Sequence, residues 1–93
     1  MNGARGEVEL VVDGRAHTLC LTLGALAEIE TALGCDTLAE LQVRLKQLSA
    51  REIMRVLTAL LRGGGAGDTE LASQVSPGAA AVAVAEAFRA ALG

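Results

Sequence analysis

Ninety-three residues suffice for one hydrophobic core and are too few for two. Aromatic residues make up 1% of the chain, Phe88 alone, which leaves no platform for stacking bases or sugars. Eight Lys and Arg against eleven Asp and Glu give a net charge of −3, which supplies no electrostatic footprint for nucleic acid or an anionic membrane.

Residues 1 to 6, rich in Gly and Ala, read as a disordered lead-in. They do not resemble a signal peptide, and no later run approaches the ~20 apolar residues of a membrane span. A soluble protein that stays inside its cell is expected. "EVELVV" then alternates, with Val8, Leu10 and Val12 on one face and Glu7 and Glu9 on the other, the period of a half-buried strand. Asp13-Gly14 suits a tight type I′ turn into the returning strand "RAHTLCL". A two-residue turn opposes Val8 to Leu19 and Leu10 to His17. Val8, Leu10, Val12, Leu19 and Leu21 then share the apolar side, while Glu7, Glu9 and Thr18 face water with Cys20 among them. A three-residue bulged turn would put Leu19 and Leu21 against the acidic face and is rejected.

Thr22 closes the hairpin and caps a helix carrying Leu26, Ile29 and Leu33 inward and Glu28 and Thr31 outward, stopped by Gly34. Asp36 and Thr37 start a second helix, with Leu38, Leu41, Leu45 and Leu48 in one stripe and an end near Gln47 or Leu48. "SARE" at 49–52 is a capping box. It opens the most amphipathic helix, with Ile53, Met54, Val56, Leu57, Leu60 and Leu61 on one side and Arg51, Arg55, Thr58 and Arg62 on the other. "GGGAG" at 63–67 terminates it and reads as a flexible link. Asp68 caps a short helical turn through Val75. Ser76-Pro77 opens a last helix to Leu92, with Ala81, Val84, Ala85, Phe88, Ala91 and Leu92 in one stripe. The fold class is α+β: one domain over 1–93, an N-terminal antiparallel hairpin (7–21) packed on a bundle of four to five helices, three of them in 22–62 and the rest in 68–93.

No reactive constellation emerges. His17 has no nucleophile or carboxylate placed beside it by any motif, and Glu28 and Glu30, two apart on a helix, point in different directions. "GGGAGD" lacks the lysine and spacing of a phosphate loop and follows a helix instead of a strand. Cys20 and Cys35, with one histidine and no CxxC, are too few for a zinc site and read as buried thiols of a reducing cytoplasm. No catalytic, cofactor or metal site is assigned, and no small-molecule substrate. The candidates are instead surfaces for another protein. Arg51, Arg55 and Arg62 line an exposed helix side, either a charged solvent face or one suited to an acidic partner, and the apolar helix stripes either close into a single core or leave the part around Leu57, Leu61, Phe88 and Leu92 for a partner.

Residues 6 to 34, "GEVELVVDGRAHTLCLTLGALAEIETALG", resemble the opening of the small tail-gene family of alphaproteobacterial gene transfer agents and related prophages. That family shows an "L-x-[VI]-D-G" hairpin followed by "L-T-L-G-A-L-A-E-[LI]-E-x-x-L-G". Here Leu10, Asp13, Gly14, the run Leu21 to Glu30, Leu33 and Gly34 match it. "SAREIMRVLTALLRGGG", residues 49 to 65, is similar to the family's second helix and its glycine-rich close. The resemblance implies a non-enzymatic tail assembly chaperone in the bacterial cytoplasm, binding a tape-measure or tail tube protein and associating with copies of itself. Two alternatives stand beside it: a tube subunit retained in the tail of the particle, and an unrecognised small ligand-binding domain or enzyme.

Overall fold

The computed structural model describes residues 6–66 and 69–93. A two-stranded antiparallel sheet, β1 (Glu7–Val12) and β2 (Arg15–Cys20), leads into α1 (Leu23–Leu33), α2 (Leu38–Arg44), α3 (Ala50–Gly63), a 3-10 segment (Thr69–Gln74) and α4 (Pro77–Leu92). This is the α+β architecture expected, a hairpin packed on four helices. Residues 1–5 of the expected lead-in lie outside the described residues. Gly6, assigned to it as well, is instead buried beside Ala91 of α4.

The hairpin has the predicted register, Val8 opposite Leu19 and Leu10 opposite His17. Asp13 and Gly14 take φ of 52° and 78°, the two positive values a type I′ turn demands. Leu10, Val12 and Leu19 are buried, and Val8 and Leu21 pack against the core. Only two residues separate β2 from α1. Thr22 caps the helix by accepting a hydrogen bond from the Ala25 N–H at 3.0 Å, so the apolar face of the hairpin is tied directly to the helix it covers. Gly34, at φ 70°, then reverses the chain, and the Cys35 N–H closes the turn onto the Glu30 carbonyl at 2.9 Å.

α2 is shorter than its leucine spacing predicts. It ends at Arg44, and Leu45 and Leu48 reach the core from a tight turn in which Lys46 and Gln47 donate to the carbonyls of Val43 and Arg44. An arginine side chain stabilises that turn, Arg44 Nη1 donating to the Gln47 carbonyl at 3.0 Å while Nη2 pairs with Glu52.

α3 is the axis of the fold, touching α1, β2, the 3-10 segment and α4. The expected capping box forms at its start: Ser49 accepts from the Glu52 N–H, and Glu52 accepts from the Ser49 N–H at 2.9 Å. That backbone bond, with the Arg44 guanidinium, holds the Glu52 carboxyl below its ordinary value of 4.5. A carboxyl depressed in the folded state stabilises fully above its unfolded pKa, and the contribution is lost as pH falls through the folded value. Glu52→Gln keeps a capping side chain but removes the charge. It should therefore lower stability at neutral pH and narrow the gap to wild type as the solution is acidified below the ordinary carboxylate range, as followed by urea denaturation across pH.

The far end of α3 departs from expectation. Instead of a loose link, Gly63 to Ala66 form a bonded close: the Ala66 N–H reaches the Leu61 carbonyl at 2.9 Å and the Gly65 N–H that of Arg62 at 3.0 Å, with Gly65 left-handed at φ 98°. Gly67 and Asp68, the last link residue and the expected cap, lie outside the described residues. Gly63 and Gly64 also lie against β2, on the carbonyls of Cys20 and Thr18. In a pair closed at Val12–Arg15 those carbonyls point away from β1, so the end of α3 covers the outer edge of the sheet.

α4 begins as predicted, Ser76 accepting from the Ala79 N–H ahead of Pro77. Its buried stripe is Ala80, Ala83, Val84, Ala87 and Phe88, rotated from the predicted one, so Ala81, Ala85, Ala91 and Leu92 lie outside the core. Both cysteines are free, Cys35 buried and Cys20 half-buried.

Candidate partner-binding surface

The three arginines singled out by sequence come together. Arg51, Arg55 and Arg62 line one open groove of about 500 Å3 between α3, α1 and the 3-10 segment, whose other walls carry Glu28 and Glu70. Helical spacing places them there: positions 51, 55 and 62 recur on one side of α3. Arg62 is held by Glu28 of α1 at 2.8 Å. Arg44, further away, is held by Glu52. Among the described residues neither Arg51 nor Arg55 forms an ion pair, and both are exposed.

The apolar candidates do not fare alike. Leu57 and Leu61 are 0% and 1% exposed and Phe88 is 7%, so all three belong to the core and leave no surplus stripe for a partner. Their cover comes from within the chain, because the 3-10 segment and α4 both lie on α3. Leu92, 45% exposed beyond the last core contact of α4, is the one of the four that presents surface.

A second groove, of about 470 Å3, was not legible in the sequence. Ile53, Met54 and Leu57 of α3 face Ala72 and Val75 across it, and Pro77 and Ala80 of α4 close one end. Met54, Ala72 and Ser73 line both grooves, which therefore join along one ridge. Met54, assigned by its spacing to the buried side, is 39% exposed there. The groove needs three chain segments to exist, and only Ile53, Met54 and Leu57 carry a periodic signal. An exposed methionine beside an apolar trough is a feature of surfaces that accept varied helices, because its unbranched side chain adapts to what it meets.

His17 sits half-buried on the apolar side of the hairpin, its Nε2 without a hydrogen-bond partner among the described residues. No three metal-binding side chains cluster among the described residues, and no helix there is long and apolar enough to cross a membrane. What the surface offers is an apolar trough and, across the shared Met54 ridge, a second groove carrying three arginines and two glutamates.

A family model described as phage tail tube protein, GTA-gp10, matches residues 5–93. No curated protein and no solved structure matches. With nearly its whole length matched, hairpin and α4 included, the chain belongs to this phage and gene transfer agent tail protein family.

Proposed function

We propose that the protein is a non-enzymatic assembly factor of a phage-like tail, a chaperone that shelters apolar helices of a tape-measure or tail tube protein in the bacterial cytoplasm until the tube encloses them. The observation that carries this is the groove lined by Ile53, Met54 and Val75, an open apolar trough between α3, the 3-10 segment and α4. A protein that only holds others needs faces in place of reactive groups. Copies of the chain would associate in the same service.

Co-expression with a tape-measure fragment tests the proposal. The wild-type chain should keep the fragment soluble and co-purify with it, and Met54→Glu, a change at an exposed position, should abolish both while the variant stays folded. Unchanged solubility of the fragment would overturn the assignment. The family's description as a tail tube protein favours a second reading, a subunit kept in the particle. Mass spectrometry of purified particles separates the two: many copies for a wall subunit, few or none for a chaperone.

A further inference from the structure

We infer that the free edge of β1 is a separate docking surface, one that takes an extended basic segment of a partner protein as a third strand. The pairing of the hairpin fixes which backbone groups are available. Counting from the closing pair Val12–Arg15, Leu10 and Val8 exchange hydrogen bonds with His17 and Leu19, while the N–H and C=O groups of Glu7, Glu9 and Val11 point away from β2. The other strand agrees: the carbonyls of Thr18 and Cys20, opposite Glu9 and Glu7, are the ones that meet Gly64 and Gly63. Among the described residues no hydrogen bond reaches Glu7, Glu9 or Val11 from outside the sheet. One side of the ribbon is closed by α3, and on the other each of these residues offers a donor and an acceptor.

The outer face of the ribbon selects the occupant. Glu7, Glu9 and Val11 share that face with Ala16, Thr18 and Cys20, so its two charges are both negative and each faces a neutral residue across the strands. Val11 is 62% exposed, an aliphatic side chain left uncovered beside the open backbone. On the inner face Leu10 is buried, but Val8 is only half-buried. Glu7, Val8, Glu9 and Thr18 line an open hollow of about 310 Å3. A second copy is a poor occupant: pairing β1 with its own copy gathers the glutamates of both chains on one face, and like charges across strands destabilise a pair. A strand carrying Lys or Arg at those positions is stabilised instead.

Register turns this into a sequence. An antiparallel segment meets Val11 first, then Glu9, then Glu7, and its intervening residues lie beside Leu10 and Val8 on the inner face. Read from its N-terminus, the segment carries a β-branched residue, an aliphatic one, Lys or Arg, a second aliphatic and again Lys or Arg. Main-chain hydrogen bonds supply the affinity and the alternate side chains supply the choice. No residue of β1 lines the trough beside Met54, so the two are distinct sites.

A labelled peptide with the core Val-Leu-Lys-Leu-Lys between soluble flanks provides the test by fluorescence anisotropy. Its controls are a peptide with glutamate in place of both lysines and the lysine peptide N-methylated at the valine and lysine amides, the ones that face β1. The lysine peptide should bind about tenfold more tightly than the glutamate peptide at low ionic strength, the gap should narrow with salt, and the methylated peptide should not bind. Binding should also slow hydrogen exchange at the Glu9 and Val11 amides. Glu9→Pro removes an outward N–H without breaking a bond to β2, and should abolish binding while the far-UV circular dichroism stays that of wild type. Glu7→Lys with Glu9→Lys should reverse the preference, and decides the matter should Glu9→Pro fail to fold. Equal binding of the lysine and glutamate peptides removes the charge selection, and binding that survives methylation shows adsorption in place of strand pairing. Either result overturns the inference, as does the absence of binding by any peptide. The chaperone reading is decided separately, by the solubility of the tape-measure fragment with Met54→Glu.

Discussion

Gly64→Ala should be the most damaging small substitution in the chain. A Cβ there would lie 1.9 Å from the Thr18 carbonyl oxygen, and the same atom on Gly63 would lie 2.1 Å from that of Cys20. The obstacle is backbone on both sides, so no rotamer relieves it, and either α3 or β2 must move. At Gly64, φ is −86°, a value any residue accepts, so the cost arises from the approach of β2 and not from dihedral strain. Displacing a strand from a helix end exceeds ordinary overpacking, and a loss of about 3 kcal/mol or more is expected. For a domain of this size that corresponds to a Tm lower by roughly 15 °C. Gly78→Ala is the control. Its Cβ meets nothing within 4 Å in the first turn of α4, so Tm should hold or rise slightly. A Gly64→Ala protein that melts with wild type would mean that α3 does not close against β2 as described.

Phe88→Ala is the second large effect. Phe88 is the only aromatic side chain, and it is buried on α4, which packs on α3 and β1. Truncation should cost about 3–5 kcal/mol in lost burial and residual cavity, against a total stability on the order of 5–14 kcal/mol for a domain of this length. Phe88→Leu, nearer in volume, should cost under about 1.5 kcal/mol. With neither Trp nor Tyr in the chain, far-UV circular dichroism in urea is the suitable readout. A lower midpoint with unchanged slope marks a stability loss. If Phe88 instead anchored a partner, the alanine variant would unfold like wild type and fail only in binding.

Local chemistry made the hairpin and most helix starts readable. The strict alternation of "EVELVV" admits one register, because a slip of one residue would expose the whole buried set. Thr22, Thr37, Ser49 and Ser76 all cap the helices they were expected to cap. α4 was placed correctly in sequence but misread in rotation. Val84 and Phe88 fit either stripe, and alanines on all sides give the period no contrast, so the neighbours α3 and β1 decide which alanines are buried. α2 stops early because Leu45 and Leu48 satisfy the leucine period from a turn as well as they would from a helix.

The proposed partner surface was half visible for a related reason. Arg51, Arg55 and Arg62 belong to one helix, so their grouping follows from spacing alone. The apolar trough joins α3 to Ala72, Val75, Pro77 and Ala80, a juxtaposition that exists only after the chain folds back. That same return of the chain buries Leu57, Leu61 and Phe88, for which counting apolar residues had left both core and partner surface open. The glycines at 63 and 64 were misjudged likewise: their partner in space is a strand more than forty residues earlier, and nothing local distinguishes a hinge from a contact.

The glycine-sealed side of β2 sets a limit on how sheets can grow from this molecule. A ribbon with one side blocked is a terminus: a strand recruited from another chain at β1 could have no counterpart across β2, so addition stops after a single step. Copies of the protein can therefore accumulate in a cell without templating one another into fibrils through this hairpin.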